Sequence, residues 1–205
     1  MALENKSHFY DGRIYRILFD PALRETRQLI AEKIDEGSNV LDVGCGTGSL
    51  ALELAEKCQR VVGIELSKKN LETAQERKES GDVGNVEFHH ADATDLSRFA
   101  DGEFDFATIS MVTHEMPEDI RLAVLREIQR VAKEIVMADF ACPPPKSIAG
   151  VRIRLTERFA GKDHYAGFKS FQKNGGIDGL AEEAGLRISS DSSTKNKTIR
   201  VVKMA

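Results

Sequence analysis

Residues 42–48 read Asp42-Val43-Gly44-Cys45-Gly46-Thr47-Gly48, an acid followed by three glycines on alternate positions, directly after the apolar end of Asn39-Val40-Leu41. Glycine accepts positive φ and lets a ligand touch bare backbone, and a helix start beyond such a loop offers unpaired N–H groups. The stretch is therefore expected to be a strand running into a turn that holds a nucleotide-like ligand. A dinucleotide loop of the form G-x-G-x-x-G needs its third glycine at position 49, which is Ser49; here the third glycine arrives at Gly48. That spacing weakens a nicotinamide reading.

Two more acids end apolar runs. Arg60-Val61-Val62-Gly63-Ile64-Glu65 reads as a second buried strand closing on a carboxylate 23 residues after Asp42, and Val86 to Ala93 as a third strand containing Asp92. Taken singly, each acid would serve equally as a cap for the next helix. Taken together, D-x-G-x-G-x-G and the two later acids resemble the class I S-adenosylmethionine (SAM) dependent methyltransferases, specifically over about Asn39 to Phe140.

The resemblance implies a cofactor site for SAM, leaving S-adenosylhomocysteine as product. Asp42, Gly44, Cys45, Gly46, Thr47 and Gly48 would form its loop. Glu65, with Leu66 beside it, would accept from the ribose hydroxyls; Asp92 would accept from the adenine amino group with the Ala93 backbone against the ring; and Ser110 would end the fourth strand beside them. Asp42 has a second reading, as a residue that orients the loop without touching ligand. Within the family the chain looks most similar to quinone-ring and sterol C-methylating enzymes, on Phe9-Tyr10-Asp11 and Phe104-Asp105-Phe106. The Asn-Pro-Pro-Tyr motif of amide and base N-methylation is absent, Ser110-Met111-Val112-Thr113 standing in its place. The Pro-Gly-Gly turn common before the fifth strand is also missing from Arg130 to Ile135.

Strands and helices alternate along the chain, which predicts an α/β fold: a doubly wound, Rossmann-like, seven-stranded sheet, mostly parallel with an antiparallel last strand, and helices on both faces. Phe104 to Ser110 and Glu134 to Phe140 read as strands four and five around a helix at Glu118 to Ala132 with apolar Ile120, Val124, Ile128 and Val131. Asp20-Pro21 and Ser67 are helix-start signals, the second opening Lys68 to Lys78. Gly179 to Ala184 reads as a helix, Leu186 to Ser190 and Thr198 to Lys203 as strands six and seven. Residues 1–205 are expected to form one domain with cap helices at about 7–35 and a cap insertion at about 141–170.

Composition agrees. The chain has 205 residues, 41% hydrophobic and 30% charged, enough for one substantial core. No apolar run reaches the roughly 18 residues of a membrane span, and Met1 to Lys6 is followed by no apolar leader. Cys45, Cys58 and Cys142 are odd in number and widely spaced, which argues against a disulfide framework, a CxxC pair or a zinc site; no metal ligand set is read. The predicted setting is cytoplasmic. A net charge of -4 argues against a general nucleic-acid binder. Cys45 is expected to pack beneath the loop.

Catalytic and acceptor-binding residues must come from outside that loop. A sulfonium methyl is already activated, so positioning an in-line nucleophile at about 3 Å supplies much of the acceleration. An acceptor carrying a proton still needs a base, and His114-Glu115 after strand four is the candidate, with helix capping as its plain alternative. His89 and His90 read as structural. Cys142 has no partner cysteine and is given no nucleophilic role. Tyr10 and Tyr15, together with His164 and Tyr165, are candidate pocket walls or packing residues. Residues 141–170 carry a net charge of +4. Ile148, Val151, Leu155 and Phe159 form a stripe expected to dock there, leaving Arg154 and Arg158 on another face to hold an anionic acceptor or simply meet solvent. The expected activity is methyl transfer to a small organic molecule, oligomeric state unspecified, with an RNA or protein methyltransferase or a non-catalytic SAM-binding regulator as alternatives and a dehydrogenase further behind.

Overall fold

The computed structural model describes residues 23–159 and 161–205; Tyr10, Tyr15 and the Asp20-Pro21 signal lie outside them. In chain order the elements are α1 (Arg24–Ala31), β1 (Asn39–Val43), α2 (Ser49–Leu54), β2 (Arg60–Glu65), α3 (Lys68–Ser80), β3 (Val86–His90) and β4 (Phe104–Ser110). A 3₁₀ turn (Thr113–Glu115) follows, then α4 (Glu118–Val131), β5 (Ala132–Phe140), α5 (Ile148–Phe159), α6 (Lys162–Lys173), α7 (Gly176–Glu183), β6 (Ile188–Ser193) and β7 (Ile199–Met204).

The seven strands lie in the order β3-β2-β1-β4-β5-β7-β6. The first five pair in parallel, and β7 runs antiparallel to both β5 and β6, as expected. Strands β1, β2, β4 and β5 are apolar on both faces because helices cover both. Leu41, Val62, Ala107 and Ile109 join a core with Val124, Leu125 and Ile128 of α4 and Leu180 of α7. Their sequence neighbours Val40, Val61 and Phe106 face the other side, against Ile30 and Ile34 and against Leu50 and Leu54 of α2.

Two boundary expectations shift. The third strand ends at His90, so Asp92 lies in the loop beyond it rather than on the strand. The part of the 7–35 cap that is described is no cap: α1 buries Ile30 against the sheet near β5 and β7, because its apolar face completes that core. A larger correction concerns α5. Its buried residues are Gly150 and Glu157, while Ile148, Val151, Leu155 and Phe159 are 83%, 53%, 50% and 75% exposed. Contacts of Glu157, described below, turn the stripe outward.

The order of the strands reverses between β1 and β4, and in such sheets the crevice beyond the carboxyl ends at that point receives the ligand. Gly63 of β2 explains how closely the loop after β1 can settle there. A Cβ at Gly63 would stand 2.7 Å from the Phe88 ring and 2.9 Å from Cys45 Sγ, below contact distance. Cys45 is 8% exposed, packed beneath the loop as expected. Gly63→Ala is expected to destabilise the fold by about 1–3 kcal/mol through overpacking; an unchanged midpoint in urea unfolding would show that this packing yields freely.

Candidate active site

The loop after β1 is built from its own backbone. Gly44 and Cys45 both donate to the Ile64 carbonyl, at 2.9 and 3.0 Å, and Gly44, Gly46 and Gly48 adopt φ of +70°, +55° and +76°. A Cβ at Gly44 would meet Val112 at 2.8 Å, so the loops after β1 and β4 touch where the strand order reverses. Nothing lies within 4 Å of a Cβ at Gly46, which leaves the loop's crest open to a ligand. Thr47 is buried, and its carbonyl accepts from Arg77 of α3 at 2.8 Å.

Asp42 is 2% exposed, and its register neighbour Thr108 on β4 donates to Oδ1 at 2.8 Å. Its Oδ2 is buried with no hydrogen-bond partner. Burial raises its pKa from the ordinary 3.8 to about 7, against the opposing Thr108 bond and with a further push from Glu65. An unsatisfied buried acceptor under a glycine loop is what a polar ligand group would complete.

Glu65 accepts from Gly46 N at 2.9 Å through Oε2 and from Ser67 N at 2.7 Å through Oε1. It therefore ties β2, the loop and the cap of α3 together, and burial raises its pKa. Each oxygen keeps a second lone pair for a ligand hydroxyl. Leu66 offers its carbonyl to His90 Nε2 at 2.9 Å, a structural role for that histidine. Asp92 closes a local turn, Oδ1 accepting from Thr94 N at 3.0 Å and from its hydroxyl at 2.8 Å. Ala93 packs against the core, and Ser110 ends β4 beside Met111, whose φ of +57° turns the chain toward His114. The donor set fits the group implied by the family resemblance. Two carboxylates stand at the ends of adjacent segments, a third lies beneath a bare-backbone loop, and space opens above it.

A second centre forms where the turn after β4, the end of β5 and the helices α5 and α6 meet. His114 is 3% exposed, its Nδ1 lying 2.7 Å from Oδ1 of fully buried Asp139. Asp139 also accepts from Thr113 Oγ1 at 2.6 Å, His114 N at 3.1 Å and Phe140 N at 2.7 Å. The other His114 nitrogen faces Glu157 at 3.6 Å and Glu115 at 3.9 Å. His164 lies 2.5 Å from Glu157 through Nε2 and 3.7 Å from Glu115 through Nδ1. Burial opposes charge on His114, but Asp139, then Glu115 and Glu157, outweigh it and lift the pKa to about 9. For Asp139 burial works upward and His114 wins, holding it below its usual range; for Glu115 burial wins and raises it.

Arg121 fastens this centre. It is 1% exposed, donates from Nε to Thr113 O at 2.9 Å and from Nη2 to Gly167 O at 2.5 Å, and lies over the Phe171 ring. The structure thus brings His114, Glu115 and His164 together and adds Asp139, Glu157 and Arg121, which sequence reasoning missed. Glu157 stood inside a basic segment, and Asp139 ended an apolar strand; an acid at a strand end, as at Asp42 and Glu65, was the available signal for Asp139. Tyr165 stacks on Phe168 under Lys169, and Arg154 and Arg158 are exposed. No described helix is long and apolar enough to cross a membrane.

Residues 40–134 match the family described as a methyltransferase domain. An O-methyltransferase of Penicillium expansum is 32% identical over 155 residues, 68% of this chain and 55% of that protein. A demethylmenaquinone methyltransferase of Listeria welshimeri is 35% identical over 113 residues, 54% of this chain and 46% of that one. The chain thus spans about half the length of these relatives. The solved structure of a SAM-dependent methyltransferase from Aquifex aeolicus superposes with a TM-score of 0.67 at 21% identity, over 92% of this chain and 95% of that one. Residues 40–134 thus match a methyltransferase domain, and over 92% of its length the chain shares the fold of a solved SAM-dependent methyltransferase.

The raised pKa of Asp42 has a measurable sign. The carboxyl ionises near 4 when unfolded and near 7 when folded, so its contribution to stability is full below about 4 and is lost as pH rises through about 7. Asp42→Asn is expected to be more stable than the parent at pH 8, with the advantage shrinking toward pH 4. Urea unfolding of both at the two pH values tests this, and a difference that does not vary with pH would contradict it.

Proposed function

We propose that the chain transfers the methyl group of SAM to a small organic acceptor. The observation that carries the reading is the buried, unpartnered Oδ2 of Asp42 beneath a glycine loop whose crest is open at Gly46. The O-methyltransferase and demethylmenaquinone methyltransferase names of its relatives support a small-molecule acceptor.

SAM supplies an activated methyl on a sulfonium and leaves as the neutral thioether. The chain's residues supply placement. Glu65 and Asp92 hold the nucleoside, Leu66, Ala93 and Ser110 border it, and Asp42 with the loop 44–48 holds the amino-acid end. His114 and Glu115 face the acceptor and take charge of its reacting atom and proton. Arg154 and Arg158 on α5 attract an acidic group of the acceptor, while His164 and Tyr165 of α6 belong to its surround; Tyr10 and Tyr15 are proposed for the same wall. In this reading 1–205 is one domain with residues 141–170 as its cap. Three free cysteines, none paired in a disulfide, support a reducing, cytoplasmic setting.

Glu65→Ala and Asp92→Ala are each expected to weaken SAM binding at least about tenfold, roughly 1.4 kcal/mol, in calorimetric titration. Normal binding by both would displace the cofactor from this crevice. Transfer of label from methyl-labelled SAM in a cell extract, with Glu65→Ala as control, is expected to mark the small-molecule fraction. Label in RNA or protein would replace the acceptor class, and SAM binding with no label in any fraction would favour a regulator. Replacing both Arg154 and Arg158 by alanine is expected to raise the acceptor KM with little change in kcat; an unchanged KM would remove them from the acceptor site.

A further inference from the structure

We propose that His114, Glu115 and His164 form a binding site for one divalent transition-metal ion, of the Zn²⁺ or Fe²⁺ type. One nitrogen from each imidazole and one Glu115 oxygen lie within 4.8 Å of one another, the span of a coordination sphere before an ion draws it in. Two imidazole nitrogens and a carboxylate suit a borderline first-row ion, whereas Mg²⁺ and Ca²⁺ favour all-oxygen sets.

The surroundings have the arrangement that metal-binding imidazoles need. A ligating histidine commonly engages a carboxylate with its other nitrogen, which fixes the ring and strengthens the ligand. Here both rings do so. Asp139 takes Nδ1 of His114 at 2.7 Å, which turns Nε2 toward Glu115 and Glu157. Glu157 takes Nε2 of His164 at 2.5 Å, and Nδ1 lies on the Glu115 side at 3.7 Å. Three carboxylates thus converge on two buried imidazoles, an environment that favours a dication.

The ligands also sit on a rigid frame. Two come from the turn after β4 and the third from α6, and those segments are in backbone contact: a Cβ at Gly167 would stand 2.8 Å from the Glu115 carbonyl carbon and 2.9 Å from the His114 carbonyl oxygen. Arg121 bonds to both segments at once. Glu115 is the outermost ligand, with 33% of its side chain exposed, so an entering ion meets it first.

The site deepens the proposed function and, in its catalytic part, rests on it. Three protein ligands leave coordination positions open to an acceptor hydroxyl. Coordination lowers that group's pKa; its proton leaves past the partly exposed Glu115 to solvent, the oxygen pair forms the new bond to the methyl carbon, and the carbon–sulfur pair returns to sulfur. His114 then acts as a ligand and not as a free base.

The test is metal binding by the full chain, stripped with a chelator and titrated with Co²⁺ and with Zn²⁺. The expected result is one ion per chain, with visible Co²⁺ absorption that Zn²⁺ abolishes, and at least tenfold weaker binding in both Glu115→Gln and His164→Ala. Glu115→Gln changes a partly exposed side chain and keeps its shape, so its folding is expected to match the parent by circular dichroism. No saturable binding, or binding undiminished in Glu115→Gln, would overturn the site. SAM affinity is measured on the same samples: metal binding without SAM binding sinks the methyltransferase reading alone, and SAM binding without metal binding sinks only this one.

Discussion

The carboxylate of Asp139 is the interaction on which the mouth of the crevice depends. It is the last residue but one of β5, between β4 and β7, with no solvent exposure, and its four hydrogen-bonding contacts fix the hydroxyl of Thr113, the backbone and ring of His114, and the end of its own strand at Phe140. A buried charge of this kind is tolerable only with a partner and satisfied lone pairs. Asp139 has both, which makes the turn after β4 a fixed object rather than a mobile loop. Arg121 repeats the device with opposite charge, spending its donors on the carbonyls of Thr113 and Gly167. Between them they hold β4, β5 and α6 in one relation.

The cofactor side of the crevice follows a different logic. The loop after β1 is fixed by backbone bonds to Ile64 and by Glu65, and it leaves Asp42 half satisfied. Desolvation acts against the Asp42 charge in the same place where a ligand would use it, so the unliganded fold carries a local cost that a bound polar group offsets. Strain and unsatisfied groups concentrate at functional positions for this reason. The two sides meet through Val112 against Gly44, the contact that brings the acceptor side and the cofactor side within reach of one another.

The parts of this arrangement that could be read from sequence are those that arise locally. Asp42 with its glycines, Glu65 closing β2 and the alternation of strands and helices each depend on residues near in the chain, and each appears in the structure with its expected placement. Asp139 lies 25 residues from His114, and Arg121 reaches 46 residues to Gly167. Pairings of that range leave no periodic trace. Glu157 was hidden further, by a basic neighbourhood that made its helix look like a solvated or anion-binding surface.

The orientation of α5 shows which force decides when two compete. Turning this helix to bury Ile148, Val151, Leu155 and Phe159 would recover apolar area at roughly 25 cal/mol per Å², and amphipathic pattern alone favours it. The same rotation would carry Glu157 out from between His114 and His164. Both rings would lose a carboxylate in a region where almost no water reaches them, and a buried polar group stripped of its partner costs about 1–3 kcal/mol, more when charged. Gly150 adds a steric term, because a Cβ there would clash with the Pro145 carbonyl, so its missing side chain lets the helix start against that turn as observed. The polar cluster thus sets the helix, and the apolar stripe takes the face that is left.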